Sequence, residues 1–435
     1  AGLPRFAATL TLRADRRQLG QPAHLAVKAV YDALLEAELR HCLHRATLIH
    51  NAFSCTQQSD GFALRFIGFT PAFVQLVDEI AVALRACGAA QVAQDEFTQY
   101  RMEALRQLDE ARAVGGEDHL DSLWRAAALR GRLNPEELRA AVEALSLEAF
   151  NAHRAKLAQA WRVELLVSSK VSAKDALTAF NAVVAAAAAH TPAAFAAQTA
   201  PLLFPRSTAA VLFPAPAPGS PHCALAVYYL LGSACEHSAL AELLRACLSD
   251  DFAHTVQAEK MGFFAAAQPV RASGHVLFRF VMRSVGFPST QCLEWLDSFL
   301  ARKRGELKLL VQKGFAAYKA AAAEPHEALF ESLEEQHDYL AQQLRRGRKA
   351  VGDRAALTAA IKSFSLKLFV EKFEAKMIKK PRRVHLHFAS DAEFAGVRED
   401  LIGRKLEGLD AEFLSLESYR KMKTTLPDLD APSFQ

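Results

Sequence analysis

The chain has 435 residues, 51% of them apolar and 23% charged, the balance of a globular protein able to bury sizeable cores in two or three domains. Its 52 basic and 48 acidic residues leave a net charge of +4, too small and too dispersed to argue for a nucleic-acid partner. No apolar run approaches the ~18 residues that span a bilayer, and the N-terminus lacks the order of a signal peptide, so no membrane association is expected.

Phe6 to Arg13, FAATLTLR, alternates and predicts a strand; Ala14 to Pro22 is a mostly polar loop. Val27, Val30, Tyr31, Leu34 and Leu35 then fall at helical spacing. A strand is predicted near Phe62 to Phe69, with Gly61 at the turn before it, and after Pro71 the residues Phe73, Leu76, Val77, Ile80 and Leu84 predict the next helix. Helical patterning continues from Asp95 to Leu157, with Asn134, Pro135, Glu136 and Glu137 marking one start by cap, proline and acidic first turn. Trp161 to Ser168 closes this part as a strand.

Ala182 to Pro221 is rich in alanine and proline, which suits an irregular connector, its alanine end able to continue a helix. Beyond it, Ala224 to Leu230 predicts a strand, and Leu240, Leu243, Leu244, Cys247, Leu248 and Phe252 make one apolar helix face. Pro269 and Gly274 are turn signals, and Val276, Phe278, Phe280 and Met282 alternate with Leu277, Arg279, Val281 and Arg283 along a long strand. Helices follow through Lys376, Val384, Leu386 and Phe388 close the sheet, and a polar tail from Asp391 wraps the domain.

These two halves are one pattern repeated. Leu39 and Gly61 correspond to Phe252 and Gly274 at an offset of 213, SLEAF at Ser146 to SLKLF at Ser365 at 219, and WRVELLVSS at Trp161 to RRVHLHFAS at Arg382 at 221. Anchors in the same order with slowly drifting offsets indicate an ancient duplication. The expected fold is therefore α+β, two homologous α/β sandwiches in which helices cover one face of a largely antiparallel sheet. We divide it as residues 1–183, a connector 184–221, a second domain 222–390 and a tail 391–435 packed on that domain.

Seven scattered cysteines form no CxxC pair or crowded framework, which favours a reducing compartment, the cytoplasm or an organelle. The chain begins with Ala1, as a processed product or a piece of something longer would. His41, His44 and His50 with Cys42 and Cys55 invite a metal, but surface histidines are the plainer reading. His385 and His387, alternating with Val384, Leu386 and Phe388, are expected on an exposed strand face. Glu236 and His237 suit a helix start, and Glu259 with Lys260 a solvated pair. The basic runs 345–349 and 379–383 are expected as solvated loops.

DDFAHTVQAEKMGFFAAAQPVRASGHVLFRF, residues 250–280, resembles the C-terminal half of the insulysin/pitrilysin branch of the M16 zinc metallopeptidases. There the stretch reads F-N-x-L-R-x-x-E-Q-L-G-Y, then P-R-R-x-x-G and a strand. Phe252, Glu259, Gly262, Pro269, Arg271, Gly274, Arg279 and Phe280 match in register, and the closing ESYRKMKTTLP resembles the family's tail.

The resemblance covers nearly the whole chain and implies the non-zinc half of a metalloendopeptidase, forming the wall of a chamber that admits peptides. Zinc and its HxxEH motif would reside in an N-terminal partner half, of the same gene or a separate chain. This chain has neither HxxEH nor HExxH, so no catalytic residue, metal ligand or bound cofactor is expected in it, and alone it should be inactive. By resemblance the substrate-contacting positions are Phe252, Val256 and Phe263. At the last two the family carries Arg and Tyr; Val offers no charge-assisted bond and Phe no hydroxyl, and one such donor is worth about 2.7–4 kcal/mol at a transition state. The alternative is a degenerate, non-catalytic M16-like scaffold or peptide-binding subunit. A homodimer is compatible with either.

Overall fold

Alternation puts Phe6, Ala8, Leu10 and Leu12 on one face of the first strand, and all four are fully buried. That strand, β1 (Arg5–Ala14), lies inside a four-stranded antiparallel sheet of order β2-β3-β1-β4, with β2 (Ala52–Gln58), β3 (Gly61–Phe69) and β4 (Trp161–Ser169). The computed structural model describes residues 5–14, 22–48, 52–58, 61–69, 73–89, 91–114, 117–129, 132–158, 161–169, 171–186, 202–214, 222–345, 353–403, 412–421 and 425–426.

The inner face of this sheet packs on α1 (Pro22–Leu48) and α2 (Phe73–Ala89), whose Val27, Val30, Tyr31, Leu34, Leu35, Phe73, Val77 and Ile80 fill the first core. Three further helices follow: α3 (Gln94–Val114), α4 (Glu117–Ala128) and α5 (Pro135–Glu143). At the head of α5, Asn134 Oδ1 accepts from the Glu137 N–H at 2.7 Å while Glu137 Oε2 accepts from the Asn134 N–H at 2.8 Å, a complete capping box. Then come α6 (Leu147–Ala158) and, after β4, α7 (Ala173–Ala186), which extends into the alanine-rich stretch.

Within that stretch, the described residues 202–214 depart from the irregular backbone expected of them. β5 (Leu202–Leu203) and β6 (Thr208–Pro214) lie within it, and β6 joins the second sheet. Its valine, leucine and phenylalanine outweigh the flanking prolines once a neighbouring strand supplies the ladder.

The second sheet has the order β11-β6-β10-β7-β9-β8. Four of its strands, β8 (Phe264–Ala272), β9 (His275–Val285), β7 (His222–Gly232) and β10 (Arg383–Ala389), repeat the antiparallel order of the first. β6 and β11 (Glu412–Leu414) extend it in parallel. Ser273 and Gly274, at φ 50° and 75°, form the two-residue turn between β8 and β9. In the first repeat Gly61 is not in the turn expected there: it is the first residue of β3, paired with Gln58, and a Cβ on it would lie 1.8 Å from the Leu12 carbonyl oxygen. Pro269 is not in a turn: it sits within β8, at the sheet edge, where a missing N–H is tolerated.

α8 (Cys235–Ala258) and α9 (Ser289–Leu309) cover the inner face, with α10 (Gln312–Glu327), α11 (Leu333–Arg345), α12 (Asp353–Ser363) and α13 (Leu366–Phe373) following. A single π-helical turn, Glu374–Lys379, ends this run. In the tail, α14 (Phe394–Gly403) and α15 (Leu416–Arg420) flank β11, and β12 (Thr425–Leu426) pairs with β5.

Both sheets also have covered outer faces, and each cover comes from the other repeat. α4 of the first repeat lays Leu120, Leu123, Trp124 and Ala127 on Ala226, Tyr228, Leu277 and Val281 of the second sheet. Trp124 stacks on Tyr228 at 3.9 Å, and Asp121 takes the buried Arg279 as its ion-pair partner. In return α11 crosses β1 and β4: His337 bonds Thr9 Oγ1 and Ser168 Oγ, both at 2.8 Å, and Asp338 receives Arg65 of β3 through two bonds of 2.6 and 2.8 Å. Asp121 and Asp338 are 217 residues apart, and Arg65 and Arg279 are 214 apart, so the exchange follows the duplication.

Candidate functional site

Of the three positions marked by resemblance, Phe252 and Val256 lie on the inner face of α8 and have no exposed surface. Phe252 meets Phe280 edge-on at 5.0 Å and Phe299 at 5.4 Å, inside the second core rather than beside an opening. Val256 packs over Gly262, where a Cβ would lie 2.4 Å from the Arg283 carbonyl oxygen. Phe263 is different: it is 50% exposed, with the Arg283 guanidinium 5.3 Å from its ring centroid and the His222 ring 5.2 Å away. It stands at the head of edge strand β8 and is the only one of the three that a ligand could touch.

Two expectations of exposure fail for a shared reason. His385 and His387 are fully buried, because α9 covers the β10 face that alternation left to solvent. His387 Nδ1 meets Ser289 Oγ at 3.1 Å. Neither ring nitrogen of His385 has a hydrogen-bond partner; burial, then Arg383 and His387, holds its pKa well below the usual range, so it is neutral. Arg383, expected in a solvated run, is also buried, and bonds Asp297 at 2.6 Å and the Tyr229 hydroxyl at 3.0 Å. A helix laid on the second face of a strand is invisible to period-2 reasoning.

His237 acts at the start of α8, its Nδ1 accepting from the Ala234 N–H at 3.2 Å, while Glu236 pairs with Lys372 at 2.9 Å. Glu259 takes Trp295 Nε1 and, at 3.5 Å, Arg302 rather than Lys260. His44 is exposed; the side chains of His41 and Cys42, residue His50 and the run 346–349 lie outside the described residues.

Among the described residues no three His, Cys, Asp or Glu side chains are placed to hold a metal ion. His337 and His387 are engaged with hydroxyls and His385 is sealed in, so these imidazoles do not fit a zinc site. No described helix is long and apolar enough to cross a membrane.

A polar pocket that sequence reasoning missed lies under the first hairpin. Asp32, Leu35, Glu36, Cys55, Phe62 and Gln107 line a cavity of about 310 Å³ between α1, the hairpin and α3. Lys28 and Asp32, one helical turn apart on a face otherwise apolar, form a buried ion pair through Asp32 Oδ2. Burial pushes the Asp32 carboxyl up to about 6 against the pull of Lys28, and lifts the Cys55 thiol to about 12, with Asp32 and Glu36 adding to it. Gln107 Nε2 donates to Glu36 at 3.1 Å. The available signal was Lys28 and Asp32 interrupting the stripe of Val27, Val30, Tyr31, Leu34 and Leu35.

Compared with solved structures, the chain superposes on pitrilysin with a TM-score of 0.80 over 98% of its length, at 15% identity. The chain has the M16 peptidase fold. A protease from Helicobacter pylori aligns over 88% of the chain and 94% of its own length, with TM-score 0.66 and 10% identity. An M16 peptidase inactive domain from Pseudomonas fluorescens aligns over 89% and 93%, with TM-score 0.63 and 14% identity. This chain spans 44% of the pitrilysin chain, so it corresponds to less than half of that M16 protein. No family sequence model and no curated protein matches it by sequence.

Proposed function

We propose that the chain is the zinc-free half of an insulysin/pitrilysin-type M16 metalloendopeptidase, forming the wall of a peptide chamber whose zinc lies in a partner half. The observation that carries this is the alignment of 98% of the chain with 44% of pitrilysin, while an M16 domain described as inactive aligns over 93% of its own length. Among the described residues no metal set is present, and the contribution we assign to this chain is binding. β8 and β2 are edge strands, the position at which an extended peptide adds to a sheet, and Phe263 presents an exposed ring beside β8.

A second reading, a non-catalytic scaffold or peptide-binding subunit of the same fold, is favoured by Val256 and Phe263. One is sealed in the core, and the other has no hydroxyl to offer an oxyanion. Cleavage of a quenched fluorescent peptide with added zinc, by this chain alone and by the longest product of its gene, separates the two. Activity in the longer product only, abolished by a chelator, supports the peptidase half. Silence in both with peptide still bound supports the scaffold. Activity of this chain alone overturns both.

A further inference from the structure

The second sheet buries a row of basic side chains along β10. Val384, Leu386 and Phe388 belong to the core under α4, so alternation sends Arg383, His385 and His387 to the opposite face, and all three are buried. Arg383 has Asp297 of α9 and the Tyr229 hydroxyl, and His387 has Ser289. His385 has neither ring nitrogen hydrogen-bonded, and its register partners, Val227 on β7 and Ala210 on β6, offer no side-chain donor or acceptor. On β6 the hydroxyl of Thr208, beside Arg383, is likewise buried without a partner. The β6–β10 seam thus holds polar groups that regain hydrogen bonds when water reaches them.

The charges near the seam leave a protonated His385 without support. On its own strand Arg383 and His387, together with burial, keep the imidazole neutral. β6 carries no titratable residue. The titratable groups that the other elements bring to this face are Cys223 and Tyr229 of β7, Cys292 and Asp297 of α9, Asp400 of α14 and Glu393 just before it. Burial pushes the two thiols up to about 11 and about 12, so they stay protonated. Tyr229 and Asp297 are engaged by Arg383, Asp400 accepts from Thr290 Oγ1 at 3.0 Å, and Glu393 accepts from Cys223 and Ser390.

The cover over the seam is thin at one side. Over β7 this face is sealed by Leu293, Leu296, Phe299 and Leu300 of α9 within the large second core. Over β6 it is covered by α14, whose Val397 and Leu401 rest on Ala210 and Ala389 in a small separate cluster. The duplication supplies an internal control. At the offset of 221, Arg162 and Glu164 of edge strand β4 stand where β10 has Arg383 and His385, and they pair with each other at 3.1 Å. The strand accepts a carboxylate at this place, so the fold itself does not require an imidazole there.

We propose that His385 makes the α14 cover an acid-released latch, closed over the β6–β10 seam while the imidazole is neutral and lifted when it takes up a proton. The latch stands on the second repeat's own residues and does not depend on the peptidase reading. An imidazole in water has a pKa of about 6.5, so below that pH the lifted state binds a proton that the closed state refuses. The advantage of the closed state is complete above pH 6.5 and falls about tenfold in the opening constant for each pH unit below it, about 25-fold between pH 7 and pH 5.

Native-state hydrogen exchange of the full chain at pH 7 and pH 5, corrected for intrinsic exchange rates and resolved by peptide, tests it. The opening constant of α14 should rise about 25-fold on acidification, while β7 and β9 stay protected. His385→Leu and His385→Gln, neither of which titrates, should each abolish that rise and leave the acid response of α11, which contains His337, as it is in the parent chain. No rise in the parent chain, a rise shared equally by β7 and β9, or a rise that persists in either folded variant would each overturn the proposal.

Discussion

The two reciprocal helix exchanges have the same geometry and opposite chemistry. α4 on the second sheet is dry: Trp124, Leu120 and Leu123 bury against Tyr228, Leu277 and Val281, and the ion pair of Asp121 uses an Arg279 only 1% exposed. α11 on the first sheet is polar: His337 spans two hydroxyls, and Arg65 and Asp338 meet with 31% and 51% of their side chains exposed. A duplicated frame thus keeps the crossing while the contacts diverge, leaving one junction held by apolar burial and the other by polar contacts, the buried hydrogen bonds of His337 and the exposed Arg65–Asp338 pair. The aromatic junction is further locked by the tail, where Arg420 bonds Glu137 at 2.7 and 2.9 Å and the Ala126 carbonyl at 3.1 Å.

Four changes rank the junctions. Trp124→Ala removes the stacked ring and leaves a void, and should cost about 3–5 kcal/mol of unfolding free energy in a denaturant titration. Acidification should come next. Burial holds His337 at about 4 against an ordinary 6.5, so below 6.5 the unfolded chain binds the proton that the folded chain refuses. Stability contributed by neutral His337 is complete above pH 6.5 and is lost as pH falls toward 4, on the order of 3 kcal/mol in all, and His337→Gln should flatten that part of the stability curve.

Asp121→Asn takes the carboxylate from buried Arg279. Because Asp121 is 30% exposed, the loss should be about 2–3 kcal/mol rather than the 3–5 of a fully buried pair. The matching change on the wet side, Arg65→Ala, should cost under about 1 kcal/mol, since a bidentate but solvated pair is worth little. Equal losses for Asp121→Asn and Arg65→Ala would erase the contrast between the two junctions.

Local periodicity carried much of the fold to the reader of the sequence. The stripe from Val27 to Leu35, the cap at Asn134, the turn at Gly274 and the drifting offsets between halves all describe structure that forms from near neighbours. What stayed hidden depends on partners distant in sequence. His385, His387 and Arg383 are buried by a helix whose position alternation cannot encode, and β6 is a strand because β10 and β11 lie beside it. Phe252 and Val256 were singled out by a register match, which fixes place in a motif and not depth in a core. The Asp32 pocket was legible only as a break in an apolar stripe, because its other walls come from β2, β3 and α3.

Native-state hydrogen exchange at neutral pH, resolved by peptide, separates a welded junction from a hydrogen-bonded one most directly. The amides of α4, Glu117–Ala128, should exchange only with the unfolding of the second sheet beneath them, whereas those of α11, Leu333–Arg345, should exchange through a cheaper local opening that leaves β7 and β9 protected. Protection of α11 equal to or greater than that of α4 would contradict the division of the molecule into a dry junction and a wet one.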